Sequence, residues 1–322
     1  MDLEKMLQRC ERDQWNVGDL DWSRAPREMS REDEMAIVQM FTDMSGIERL
    51  AGALFLEQER RVENPTLKAI FKTFVKDEVR HAHAAQMLAD YYDVHHYKTY
   101  RQSSALTAFT PHFIGAIRHL SDDVANVYIT MGELILDIAL LRSINDYVHD
   151  EMSAAAMELI NRDESRHIAI DYYMSGYYAS DEYDQKMAER AAAQPLALQM
   201  QGAWALANML YHAQAFSRDV FFTPMLLVDP HGKRFREAFK RMQLLGRRET
   251  KARRPFSKFL RFLQDGVNHP IAGRFVGGFF SRLMGVEQGF VKHLFTEEEL
   301  ARAQRMSYDE LAQEALGAKM KD

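Results

Sequence analysis

Two pentapeptides in this chain are nearly the same, Asp77-Glu78-Val79-Arg80-His81 and Asp163-Glu164-Ser165-Arg166-His167, and a glutamate precedes each at a matching distance. Glu48 precedes Glu78 at a spacing of 30, and Glu133 precedes Glu164 at a spacing of 31. The offset between the two leading glutamates is 85, and for both members of the Glu-x-x-His pairs it is 86. Residues three apart share a helix face, so the Glu and His of each pair point the same way. In an antiparallel helix hairpin, residues equally far from the turn face each other. The midpoint of Glu48 and Glu78 is residue 63, beside Asn64-Pro65, and that of Glu133 and Glu164 falls between Val148 and His149. At about 1.5 Å per residue, both pairs stand roughly 22 Å up their hairpins. Glu57 and Glu59 fail this test, because their midpoints with Glu78 fall inside the second helix. The pattern requires two helical hairpins folded into one bundle.

The rest of the chain agrees with an all-α class. Only 8 Pro and 16 Gly in 322 residues argue against a turn-rich β fold, and 19 Met among many Ala, Leu, Glu and Arg favour helix. Ser30 followed by Glu32, Asp33 and Glu34 predicts a helix start, and apolar residues at helical spacing carry it to about Asn64. Pro65 suits the first turn of the next helix, which runs to about Tyr91. A crossover over 92–121 holds Pro111 and a short helix near Phe113–Leu120. Further helices are predicted at 122–147, 151–179 and 185–222, the last stopping before Pro224. Thr296 and Glu299 form a capping box that opens a terminal amphipathic helix. The expected organisation is an irregular segment at 1–29, a helical bundle with a fifth long helix at 30–225, and a basic helical extension at 226–322.

Brought together, the hairpins offer six ligands, Glu48, Glu78, His81, Glu133, Glu164 and His167, for two metal ions. Carboxylate and imidazole donors without thiolates suit iron or manganese better than copper. Four carboxylates in one core repel one another unless cations neutralise them. Asp77 and Asp163, next to the ligand glutamates, are placed to accept the free N–H of a ligand histidine, each from the opposite hairpin. A single Glu-x-x-His pair is a common surface feature. Two copies with upstream glutamates and turns at the midpoints are not.

These residues resemble the ferritin-like di-iron carboxylate superfamily, whose bundle carries paired Glu and Glu-x-x-His ligands. A Glu at this spacing before Asp-Glu-x-x-His, twice over, is similar to the p-aminobenzoate N-oxygenase type, with acyl-carrier-protein desaturases as related proteins. The resemblance covers about 40–180. It implies a ferritin-like four-helix bundle, two iron ions on the six ligands, and O2 activation. The outcome would be hydroxylation, desaturation or N-oxygenation of a small organic or acyl substrate. It also implies an external electron donor, a ferredoxin or reductase, and a homodimer. Manganese or a mixed pair fits the same donors. Ile160 stands where the N-oxygenases carry an additional histidine, a departure that bears on amine oxidation and leaves the six ligands intact. An alternative of another class is iron oxidation or peroxide protection of the ferritin or rubrerythrin kind. Against it, the chain continues well past the bundle, from 180 to 322, without a Cys-rich electron-transfer domain.

Other features bound the reading. Leu54, Phe55, Phe71, Phe74, Leu134 and Ile138 can line a pocket for an acyl chain or an aromatic ring, and Asp137 lies one turn after Glu133. Small residues at Ala51, Gly52 and Gly132 mark either space beside the metals or close helix packing, the second being the more ordinary reading. The single cysteine, Cys10, excludes an intramolecular disulfide and any Cys-based metal site. The start MDLEKMLQRCERD lacks the apolar core of a secretory signal, and no uninterrupted apolar stretch reads as a bilayer span, so a cytoplasmic location is expected. The formal charge of −6 is uneven: between 233 and 261 there are twelve Lys or Arg and two Glu. That segment, interleaved with Phe235, Phe239, Phe256, Phe259 and Phe262, suits an acidic carrier protein or an anionic membrane surface, or packs on the acidic bundle. Nucleic acid is a poor partner for an acidic chain with no recognised module.

Overall fold

The computed structural model describes residues 1–248, 255–284 and 288–317, with the backbone alone at 137, 138, 191, 255, 256, 280, 283, 284, 288, 291 and 317. The regular elements among the described residues are all helices, joined by non-helical connections, with no strand among them. Helix α1 is Leu3–Arg12, α2 Arg31–Arg61, α3 Pro65–Tyr92 and α4 Ser104–Ile117. Helix α5 is the continuous run Asp122–Val148, and α6 is Glu151–Tyr178. Helix α7 is Asp181–Ala193, α8 the run 196–228, α9 Lys233–Gly246, α10 Pro255–Asn268 and α11 Gly273–Met284. Among the described residues three short helices follow: α12 (Gln288–Val291), α13 (Glu297–Arg305) and α14 (Tyr308–Gly317).

Local chemistry sets the ends of the hairpin helices. Ser30 accepts from the Asp33 backbone N–H to open α2, and Asn64 accepts from Leu67 to open α3 with Pro65 in its first turn. His149, in the left-handed region at φ 46°, ends α5, and Asp150 accepts from Met152 and Ser153 to open α6. Helix α2 packs along α3, α5 along α6, and contacts of α2 with α5 and α3 with α6 join the hairpins into a four-helix bundle. One apolar cluster, running from Met6 to Ala312, forms its core. Helix α5 is long and apolar enough to cross a membrane by length and composition, more than the sequence reading allowed. Its apolar window is 62% buried in the protein, and it carries Glu133 into the interior.

Three expectations need correction. The N-terminal segment is not irregular: α1 is capped by Asp2 and turns Met6 and Cys10 inward. The crossover helix α4 starts earlier than expected, where Ser103 caps Leu106, and runs through Pro111. Pro111 is exposed, so the helical bond it removes lies on the solvent side. The fifth helix does not begin near 185. Pro195 forces Gln194 to an extended ψ of 122°, which splits the run into α7 and α8. Nor does the helix stop before Pro224: a π segment, Ser217–Phe222, leads without a break into Thr223–Val228, with Pro224 at the start of that last stretch.

Much of the basic segment is used within the protein. Helix α9 buries Phe235 and Ala238 against the bundle. Arg234 pairs with Asp146, Lys240 with Glu237 and Glu299, and Arg241 with Glu237. Residues 249–254 of that segment lie outside the described residues.

Candidate metal centre

The four bundle helices each deliver part of one buried cluster. Helix α2 brings Glu48, α3 brings Asp77, Glu78 and His81, α5 brings Glu133, and α6 brings Asp163, Glu164 and His167. None of these eight residues is more than 1% exposed. Their ligand-type atoms form two overlapping sets: Glu48, Glu78, His81 and Glu164 in one, and Glu78, Glu133, Glu164 and His167 in the other. Within each set the atoms lie within 4.8 Å of one another. Glu78 and Glu164 belong to both sets, as carboxylates placed between two ions would.

The histidines are fixed from behind, and the pairing is crossed between hairpins. His81 Nε2 lies 3.2 Å from Asp163 Oδ2, and His167 Nε2 lies 3.4 Å from Asp77 Oδ2. An aspartate at Nε2 keeps the proton on that nitrogen and leaves the Nδ1 lone pair facing the glutamates. His81 Nδ1 is 3.0 Å from Glu164 Oε1, and His167 Nδ1 is 3.2 Å from Glu78 Oε1.

Whether a metal pair fits can be judged from the polar atoms that the protein leaves without a partner. Both carboxylate oxygens of Glu48, Glu78 and Glu133, Oε1 of Glu164 and Nδ1 of His81 are buried with no hydrogen-bond partner. Buried polar groups are otherwise almost always paired, so a concentration of orphans at one point calls for a ligand. The charges point the same way. Asp77 and Asp163 are matched by Arg80 and Arg166, and once the two imidazoles give up their extra proton to serve as ligands, four glutamate charges remain. Two divalent cations would cancel them.

Proton affinities report the same crowding. Burial, then the charge of Glu78, pushes Glu48 well above the carboxylate range, and burial with Glu164 does the same to Glu133. Burial and Glu164 also raise Glu78. Burial alone would lower His81, but the nearby carboxylates of Asp163 and Glu164 outweigh that and hold it well above the imidazole range. His167 rises likewise against burial, through Glu164 and Asp77. Glu164 goes the other way: burial raises it, but His167 and Glu133 together hold it well below the usual range.

The structure adds residues to which the sequence reading gave no role. Arg166 is fully buried and bonds Asp163 Oδ1, with Asp77 Oδ2 at 3.6 Å. Arg80 pairs with Asp77 and lies 3.2 Å from Asp163 Oδ2. Both arginines stand at the same place in the repeated pentapeptide, which was the available signal. The segment after α1 closes this network: Trp15 Nε1 donates to Asp163 Oδ2 at 2.8 Å, and Gln14 Nε2 to Asp77 Oδ1 at 3.1 Å.

Apolar walls surround the cluster. Leu54, Phe55, Phe71, Phe74 and Leu134 are buried, but of these residues expected to line a pocket only Phe71 borders a described cavity, and the side chains of Asp137 and Ile138 lie outside the described residues. The rings of Phe74 and Phe55 sit 4.2 and 5.0 Å from that of His167, and Phe71 packs on both. Phe71 also lines a cavity of about 300 Å³ at the end of the bundle beside the α2–α3 turn, with Gln58, Tyr173, Tyr177 and Tyr183. Gln58 is 5% exposed, and neither of its amide atoms has a partner. Gly52 is a site of close packing, since a Cβ there would lie 3.1 Å from Glu78 Cβ. A Cβ at Gly132 would meet no atom within 4 Å outside its own stretch of helix.

Compared with protein-family models, with curated proteins and with solved structures, the chain has no match.

Proposed function

We propose that this chain is a ferritin-like non-haem di-iron oxygenase or oxidase, with Glu48, Glu78, His81, Glu133, Glu164 and His167 holding two iron ions. The observation that carries the reading is the pair of overlapping ligand sets that share Glu78 and Glu164. When bound, the metals supply redox chemistry with O2. The chain's own residues do the remaining work. Asp77 and Asp163 hold the two imidazoles with Nδ1 turned to the carboxylates, and Arg80 and Arg166 pair with those aspartates inside the protein. Phe55 and Phe74 exclude water from the His167 side. The cavity at the α2–α3 turn receives a small organic substrate, with the Gln58 amide as its polar contact and Phe71 between it and the cluster. Hydroxylation, desaturation or N-oxygenation each draw on two electrons from outside, supplied by a ferredoxin or reductase.

The test is metal content after anaerobic loading with ferrous iron, followed by O2 uptake in the presence of an electron donor. We expect about two irons per chain in the wild type, about one in Glu48→Ala or Glu133→Ala, and almost none in the Glu78→Ala, Glu164→Ala pair. Far-UV circular dichroism confirms that each variant is folded. A folded wild type that binds no iron would overturn the metal site. Iron taken up far beyond two per chain would replace the oxygenase reading with storage.

A further inference from the structure

Far from the bundle interior, the described residues carry a large outward apolar surface. Between Arg190 and Arg218 the stretch 191–217 holds no Asp, Glu, Lys or Arg. Helix α8 packs one side of that stretch on α4, where Phe109 stacks on Phe216 and His112 on His212. Its other side presents Leu196, Met200, Trp204 and Tyr211, with Trp204 at 72% and Tyr211 at 77% exposure. The α10–α11 hairpin adjoins it, since Gln214 of α8 bonds the Arg282 carbonyl of α11. The hairpin turns Ser257 and Val267 inward, Val267 against Phe222, Phe239 and Val276. Outward it holds Phe262, Ile271, Phe275 and Phe279, at 73, 79, 82 and 66% exposure.

Single exposed apolar residues are ordinary, but an adjoining set of this size marks a binding surface. Its charge says what it binds. Over 255–284 the cations are Lys258, Arg261, Arg274 and Arg282 and the one acid is Asp265, which already pairs with Arg247. On α11 the residues Arg274, Phe275, Gly278, Phe279 and Arg282 fall on one face at helical spacing. Protruding aromatics flanked by basic side chains are the composition of a helix lying in a lipid headgroup layer, with tryptophan and tyrosine at its border. A second copy is a poor occupant, because in a two-fold pair the patch meets itself and cation faces cation.

We propose that the α10–α11 hairpin, with the adjoining outer face of α8, docks this protein on an anionic lipid surface. This holds whether or not the bundle contains metal. The test is co-sedimentation of the full chain with vesicles of phosphatidylcholine alone and of phosphatidylcholine with one-quarter phosphatidylglycerol, at about 0.1 M salt. The expected result is binding to the anionic vesicles at least tenfold above the neutral ones, weakening as salt is raised. The triple variant Phe262→Ser, Phe275→Ser, Phe279→Ser changes only exposed side chains and should lose at least tenfold in binding with its helical content intact. Lys258→Glu with Arg274→Glu should abolish the anionic preference. Equal binding to both vesicles, no binding, or full binding by the triple variant would each overturn the proposal. A molecular mass by light scattering that halves in the triple variant would overturn it in favour of a second copy.

Discussion

Between Glu48 and its turn, α2 winds as regular α-helix, whereas between Glu133 and its turn α5 passes through a π segment, Leu134–Leu141. The returning helices do not differ in this way: Glu78 and Glu164 each occupy the fourteenth position of their helix, counted from Pro65 and from Glu151. The outgoing arms do differ, since the arm from Glu133 to Val148 is two positions longer than the arm from Glu48 to Arg61. A π segment closes i→i+5 bonds and so takes more residues per turn than α-helix. It lets a longer arm arrive at its turn with Glu133 still facing the cluster. The spacings of 30 and 31 in the sequence are the net of two changes, a longer arm and a shorter turn. The helices that bring two ligands each are regular, and the irregularity is confined to a helix that brings one.

The largest effect that would test this contrast comes from deleting one residue in each arm. In α2 the loss of Ala53 rotates everything before it by about 100°, which takes Glu48 off the inner face and breaks the core packing. That variant should bind little metal and should be unfolded or nearly so. Deleting Ile135 instead allows the π segment to revert to α winding, so Glu133 keeps its direction. We expect that variant to fold and to bind iron within about tenfold of wild type, as read by circular dichroism and metal analysis. Equal damage from both deletions would show that the π segment does not absorb the extra length.

The same contrast separates what the sequence discloses from what it conceals. Helix ends at Ser30, Asn64 and Thr296 were legible because capping is a local interaction among residues three apart. The cluster was legible because helical periodicity and turn position together act as a ruler, and the crossed Asp–His pairing follows once two copies of one motif face each other. Helix α1 was equally legible, from Asp2 and the apolar spacing of Leu3, Met6, Leu7 and Cys10, and the break at Pro195 from the rule for residues before proline. The contacts of Trp15 and Gln14 with the aspartates join residues 148 and 63 positions apart and leave no local trace. The π segment looks in sequence like any apolar helix, and only the mismatch of 30 against 31 hints at it.

A smaller effect compares the two aspartates. Asp163 accepts from Trp15 at 2.8 Å and from Arg166, and lies 3.2 Å from both Arg80 and His81. Burial would raise its carboxyl, but His81 first, then Arg166 and Trp15, hold it well below the usual range. Asp77 stands farther from its histidine, at 3.4 Å, and from Arg166, at 3.6 Å. Partners behind a metal-bound histidine contribute about 10–100-fold in affinity. Asp163→Asn should lie near the top of that range and Asp77→Asn near the bottom, by competition with a chelator. Equal losses would mean that orientation alone matters and the surrounding bonds do not.

The smallest effect has opposite signs in the two hairpins. In α2, a methyl group at residue 52 would meet Glu78 Cβ at 3.1 Å, so Gly52→Ala must push α3 away from α2 at the height of the cluster. Forcing one carbon into a close-packed contact costs about 1–3 kcal/mol. In α5, a methyl group at residue 132 meets no atom within 4 Å outside its own stretch of helix, and the position lies inside that helix at ordinary negative φ. There Gly132→Ala removes only the flexibility of glycine and should stabilise by about 0.5–1 kcal/mol. Urea unfolding midpoints measure both. If Gly132→Ala destabilises instead, the space beside Glu133 is already filled and cannot admit a substrate or O2. If Gly52→Ala is neutral, α2 and α3 can separate at the cluster without cost, and the close approach of the first hairpin does not set the position of Glu78.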